Sequence, residues 1–233
     1  DGPLTRSELR LEERILQAAD DLGAVRKIKK ALNAKKAAVI IGAPGSGKTE
    51  LSVIAADKEP AQFDLPNEFW GFRYADRSKE VRNQMWRDGV YFNEKGEERK
   101  WIEDSNAFEA LFKKYLNHSS DTVMFDEIDL LAGKAFDDDS LTTAKRILEL
   151  AARLKVAGKK VIVIIHPVGR DAPEFMDALV ANYLLGSKEE LIQTQYLTQP
   201  EEIGILQSLG FSNAEVGQFM EVTAGFPGAY FGF

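Results

Sequence analysis

The stretch Gly42-Ala43-Pro44-Gly45-Ser46-Gly47-Lys48-Thr49 is the part of this chain best equipped for chemistry. It fits G-x-x-x-x-G-K-[ST], the pattern of a phosphate-binding P-loop. Its glycines let the backbone fold around an anion with no side chain in the way. A helix opening behind it aims free N–H groups and a partial positive charge at the phosphates. Lys48 adds a mobile cation for the β- and γ-phosphates, and the Thr49 hydroxyl is placed to bind Mg²⁺. The alternative is a glycine-rich turn with no ligand. The apolar run Ala37-Ala38-Val39-Ile40-Ile41 just ahead argues against it, because a P-loop works between a buried strand and a helix.

Asp126-Glu127 is the second signal, directly behind the apolar run Thr122-Val123-Met124-Phe125. An acidic residue at the end of a hydrophobic strand, downstream of a P-loop, is the Walker B arrangement. Asp126 is expected to hold Mg²⁺, and Glu127 to orient or deprotonate a water. Without the P-loop, a solvated acidic loop would be the better reading. His166 follows Val161–Ile165, the most β-branched run of the chain. If that strand lies between the P-loop strand and the Walker B strand, His166 sits where a polar residue can sense the γ-phosphate; a surface histidine in a His-Pro turn is the alternative. Arg170 lies just beyond, where an arginine can stabilise transition-state charge, or simply be solvated. Arg146 and Arg153, on the preceding helix, are weaker candidates of the same kind.

These residues need a scaffold of alternating strands and helices. Helical periodicity is expected over about 5–20, 24–32, 48–57, 107–116 (capped by Ser105), 141–157 (capped from 137–140), 199–209 and 213–223. Strands are expected at 37–41, 68–74, 122–125, 161–165 and 191–197, with 60–66 as loop. A β-hairpin is expected around Asn93-Glu94-Lys95-Gly96. The alternation predicts an α/β fold with a doubly wound parallel sheet. Net charge is −7, which argues against nucleic-acid binding through the whole surface but leaves a local basic face open. With no cysteine there is neither a disulfide nor a Cys-based metal site, in keeping with a cytoplasmic setting. Two histidines are too few for a zinc cluster. No apolar run approaches the ~20 residues of a membrane span. The start at Asp1 without Met is read as a cut or a cloning remnant, and the abrupt apolar end Tyr230–Phe233 as the expected mark of a fragment of a larger protein.

Taken together, Gly42–Thr49, Val123–Glu127, the strand ending at His166 and the C-terminal helices resemble an AAA+ ATPase. The segment Tyr196-Leu197-Thr198, with Glu201, Leu206 and Gly210, and then Thr223-Ala224-Gly225-Phe226-Pro227-Gly228, is similar to the helical lid of STAND-like branches. In those branches the lid proline packs near the nucleotide. The resemblance implies a five-stranded P-loop NTPase sheet of AAA+-type order with a small C-terminal helical lid. Together with the patterning above, it divides the chain into an N-terminal helical segment over 1–33, an ATPase core over 34–197 with a hairpin-like insertion at about 78–104, and a helical lid over 198–233, whose truncation is left open. The cofactors implied are ATP or ADP with Mg²⁺, held by residues 42–49 and Pro227; the metal falls to Thr49 and Asp126, and catalysis to Lys48, Glu127, His166 and Arg170. ATP rather than GTP follows from the resemblance, and no Asn-Lys-x-Asp guanine-recognition motif is present.

The chain departs from the family pattern in three places. The sensor position carries His166 where Asn, Thr or Ser is common. No arginine stands in Gly225–Gly228, and none in 177–188, where an arginine finger is expected. Beside Mg²⁺-dependent ATP hydrolysis coupled to conformational change, a signalling switch or scaffold with little or no turnover is therefore the second expectation. A P-loop kinase is a third, opposed by the Asp126-Glu127 pair. A protein partner or self-association is expected. The insertion carries Trp86, Tyr91, Phe92 and Trp101 among arginines that nearby acids nearly balance, so its aromatics are expected to pack on the domain, with a partner, peptide or nucleic-acid contact as the alternative. Nucleic acid is neither excluded nor indicated.

Overall fold

A chain that alternates β-branched runs with amphipathic stretches must bury both faces of its strands. The computed structural model shows how this one does so. It describes residues 22–42, 46–56, 59–63, 90–92, 97–100, 105–126, 138–165, 180–187, 190–194, 198–208 and 210–223. In chain order the elements are α1 (Gly23–Lys35), β1 (Ala37–Gly42), α2 (Lys48–Ala55), β2 (Ala61–Phe63), β3 (Val90–Phe92), β4 (Glu98–Lys100), α3 (Ser105–Leu116), β5 (Thr122–Phe125), α4 (Asp138–Val156), β6 (Lys160–Ile165), β7 (Ile192–Thr194), α5 (Gln199–Ser208) and α6 (Asn213–Thr223).

Five strands form a parallel sheet in the order β2-β5-β6-β1-β7. Alternate residues of its inner strands feed two cores. Ala37, Val39, Val123, Phe125, Val161, Val163 and Ile165 pack with α3 and α4. Ala38, Ile40, Met124, Ile162 and Ile164 pack with α1, α2 and Ile205 of α5. The helices meet the sheet through stripes at helical spacing: Val25, Ile28 and Leu32 on α1, Phe108, Leu111 and Tyr115 on α3, and Ala144, Ile147, Leu148, Ala151 and Leu154 on α4. Each fully buried Ile, Val or Phe of this kind contributes roughly 1.5–3 kcal/mol. This is the α/β P-loop NTPase architecture, with helices on both faces and a helical C-terminal part.

The order has one consequence for the site. Strand β6 pairs with β1 on one side and with β5 on the other. The run ahead of His166 therefore does lie between the P-loop strand and the strand ahead of Asp126. The hairpin also forms, as an antiparallel β3-β4 pair.

Two expectations change. Residues 61–63, expected as loop, form the edge strand β2 parallel to β5. Aromatic packing holds it there: Phe63 stacks on Phe125 at 4.8 Å and meets Tyr115 at 5.6 Å. The Tyr115 hydroxyl donates to the Gln62 carbonyl at 3.1 Å. Ser105 is the first residue of α3, and Asp138 and Ser140 lie inside α4, so none of them is the cap expected. The strand expected at 68–74 and the helix expected at 5–20 lie outside the described residues.

Candidate active site

All five strands point the same way, so their C-terminal ends share one edge of the sheet. Gly42, Asp126 and Thr194 stand along that edge, and α2 begins there. The turn into α2 uses Gly47 in the left-handed region, φ 71°, which a glycine adopts without strain. Gly47 is the N-cap of α2, and its carbonyl accepts the first helical bond, from Leu51 N–H at 2.8 Å. No side chain caps this end. The free N–H groups of its first turn suit an anion.

Lys48 is the first residue of α2 and is only 3 % exposed. Its Nζ donates to the Gly42 carbonyl at 2.8 Å, across the base of the loop. A buried ammonium must be satisfied, and this bond holds it at the end of β1. One residue on, the Thr49 hydroxyl donates to Asp126 Oδ2 at 2.8 Å. That bond joins α2 to the end of β5, two strands away from β1. Phe125, fully buried in the aromatic cluster, fixes the backbone from which Asp126 projects.

Thr49 and Asp126 thus place a hydroxyl and a carboxylate together, hard oxygen donors that suit Mg²⁺. Among the described residues no group of three or more His, Cys, Asp or Glu comes together as a metal cage. A one-carboxylate site that leaves positions for water and phosphate is the arrangement Mg²⁺ usually takes.

Of the residues expected from the sequence, Gly42, Ser46, Gly47, Lys48, Thr49 and Asp126 come together at this edge. Ala43, Pro44, Gly45, Glu127, His166, Arg170 and Pro227 lie outside the described residues. The weaker candidates Arg146 and Arg153 sit on α4, which packs in the core opposite the one that α2 joins. The Arg146 guanidinium lies 3.9 Å from the Phe108 ring centroid, and Arg153 lies 4.3 Å from that of Phe112. Arg146 pairs with Glu149, and Arg153 with Glu109.

One residue was missed. Thr194, at the end of β7 and 4 % exposed, pairs in register with Gly42. Its Oγ1 lies 2.8 Å from Ser46 Oγ. Threonine is common in strands, so only the register could have drawn attention to it.

Fold and site together define a P-loop NTPase of the α/β class. The family model that matches is AAA, the ATPase family associated with various cellular activities, over residues 38–169, more than half of the chain. The chain belongs to that family. No curated protein matches it. Among solved structures it is similar to the Walker-type ATPase PABY2304 of Pyrococcus abyssi, with 14 % identity and a TM-score of 0.44. That match covers 89 % of this chain and 64 % of the other. No helix among the described residues is long and apolar enough to cross a membrane.

Proposed function

We propose that this domain binds ATP with Mg²⁺ and hydrolyses it, coupling nucleotide state to a movement of its C-terminal helices. The observation that carries the reading is the Thr49–Asp126 bond of 2.8 Å beside the buried Lys48, on the sheet edge where α2 begins. In this reading the α2 N-terminus and Lys48 bind the phosphates. Thr49 and Asp126 would hold Mg²⁺, which when bound would supply charge neutralisation for the phosphates. Glu127 accepts a proton from water as the water oxygen bonds to the γ-phosphorus. The bond from that phosphorus to the bridging oxygen breaks, and its electron pair leaves on ADP. His166 and Arg170 are assigned to the γ-phosphate side, and Pro227 to the lid over the nucleotide. The lid is assigned to the C-terminal part that follows β7 and includes α5 and α6.

The test is Glu127→Gln. It should retain ATP while kcat in a phosphate-release assay falls by about 10²–10⁴-fold, the range of a lost general base. Turnover at the wild-type rate removes Glu127 from the mechanism.

A further inference from the structure

We propose that Thr194 is a positioning residue of the nucleotide site: with Ser46 it forms a hydroxyl latch that sets the P-loop from the root of the lid. The proposal rests on the nucleotide reading above, but its geometry stands independently. Thr194 Oγ1 lies 2.8 Å from Ser46 Oγ, in a bond that is buried and spans 148 residues of sequence. The Thr194 hydroxyl also donates to the Ile41 carbonyl at 3.4 Å. A hydroxyl has one proton, so with Thr194 donating to Ile41 it is Ser46 that donates to Thr194. The chain Ser46 → Thr194 → Ile41 then closes the loop back onto the strand from which it departs.

The glycine that opens the motif takes its meaning from the same contact. Gly42 is not among the positive-φ glycines, so backbone conformation does not require it. A Cβ there would lie 2.1 Å from Thr194 Oγ1, 2.7 Å from Ser46 Oγ and 2.9 Å from the Thr194 carbonyl oxygen. Gly42 is bare because the latch occupies its side-chain space.

Position gives the latch its use. Ser46 immediately precedes Gly47, the left-handed N-cap of α2, so fixing Ser46 fixes the direction of the first N–H groups of that helix. Thr194 is the middle member of the relay and the last residue of β7. A short segment leads from it to Thr198, whose N–H and hydroxyl both donate to the Glu201 carboxylate at the start of α5. A hydroxyl pair buried to 1 % and 4 % exposure has no water to replace it if broken. The loop that meets phosphate and the strand that carries the lid therefore shift together.

The experiment compares wild type, Thr194→Ser, Thr194→Val, Ser46→Ala and the double variant Ser46→Ala/Thr194→Val. Three quantities are read: Kd for ADP·Mg, steady-state KM and kcat for ATP, and hydrogen exchange over residues 42–52 without nucleotide. Thr194→Val keeps the shape and removes the hydroxyl. It should raise Kd and KM about tenfold, the factor one buried hydrogen bond carries, with kcat within about twofold. Exchange over 42–52 should rise. Thr194→Ser should restore all three quantities, and the double variant should be no worse than the worse single one. A merely structural role would instead lower kcat through lost active protein and leave KM unchanged.

Should Thr194→Val not fold, Ser46→Ala removes the same bond from the other side and must show the same split. The latch is overturned if the variants match wild type in Kd and exchange, if kcat falls with KM fixed, or if the single effects add. A wild-type protein that binds no nucleotide overturns the nucleotide reading. In that case faster loop exchange in Thr194→Val, reversed in Thr194→Ser, still supports the latch, and its absence overturns the latch as well.

Discussion

Two lysines are buried at opposite ends of this sheet, Lys48 at 3 % exposure and Lys159 at 9 %. Lys159 stands where the parallel strands begin. Its Nζ donates to the His118 carbonyl at 2.8 Å and to the Ser120 carbonyl at 2.7 Å, tying the turn before β5 to the start of β6. The surroundings are closed by backbone. Gly158, at φ 104°, ends α4; Lys159 N–H bonds back to the Leu154 carbonyl; and Lys160 N–H reaches the Asp121 carbonyl. Lys48 stands where the strands end, at the open N-terminus of a helix and beside a hydroxyl-carboxylate pair. Burial and charge are alike in the two cases. The direction of the strands separates them: one ammonium is spent on carbonyls that a turn exposes, while the other faces an edge where helix N–H groups also converge.

The largest effect that would test this contrast is on binding. Lys48→Ala should weaken ATP·Mg binding by roughly a hundredfold in a titration, since charge-assisted bonds to phosphate are lost. Lys159→Met should leave that affinity unchanged. Its cost appears in stability instead. Two carbonyls lose a charged donor, for about 2–3 kcal/mol, or roughly 5–10 °C in Tm for a domain of this size. Comparable losses of affinity in the two variants would break the division between the two ends of the sheet.

How far the sequence revealed these places follows from how local their causes are. The P-loop and Asp126 were legible because their residues are contiguous and lie behind strands apolar on both faces, β1 and β5. Helices α5 and α6 were legible to within a residue from helical patterning and the break at Gly225–Gly228. Strand β2 was not. It is three residues long with an exposed glutamine in the middle, and it exists because Phe63 stacks on Phe125, far along the chain. Thr194 was not legible for a similar reason, since its bond partner is 148 residues away. Lys159 and Lys160 are adjacent and identical in type, and only the turn at 118–120 tells them apart.

The smallest expected effect belongs to a third kind of cation, one that is charged, paired and exposed. Arg153 on α4 forks onto Glu109 of α3 while its guanidinium lies 4.3 Å from the Phe112 ring centroid. The Arg153 hydrogen bond holds the Glu109 carboxyl below its ordinary value, and Glu109 in turn raises Arg153. A carboxyl depressed in the folded state adds stability above its unfolded pKa. That stability is lost as pH falls through the folded value, in a window that opens near pH 4 and extends downward. At neutral pH, Glu109→Gln should therefore lower Tm by a small but resolvable amount, well short of the Lys159→Met effect, because both side chains are about half in water. Below pH 4 the variant and wild type should converge, and raising salt should shrink the gap at pH 7. If Glu109→Gln instead lowered Tm as much as Lys159→Met, exposure would not be what separates a structural cation from an incidental one, and the contrast between the two buried lysines would lose its baseline.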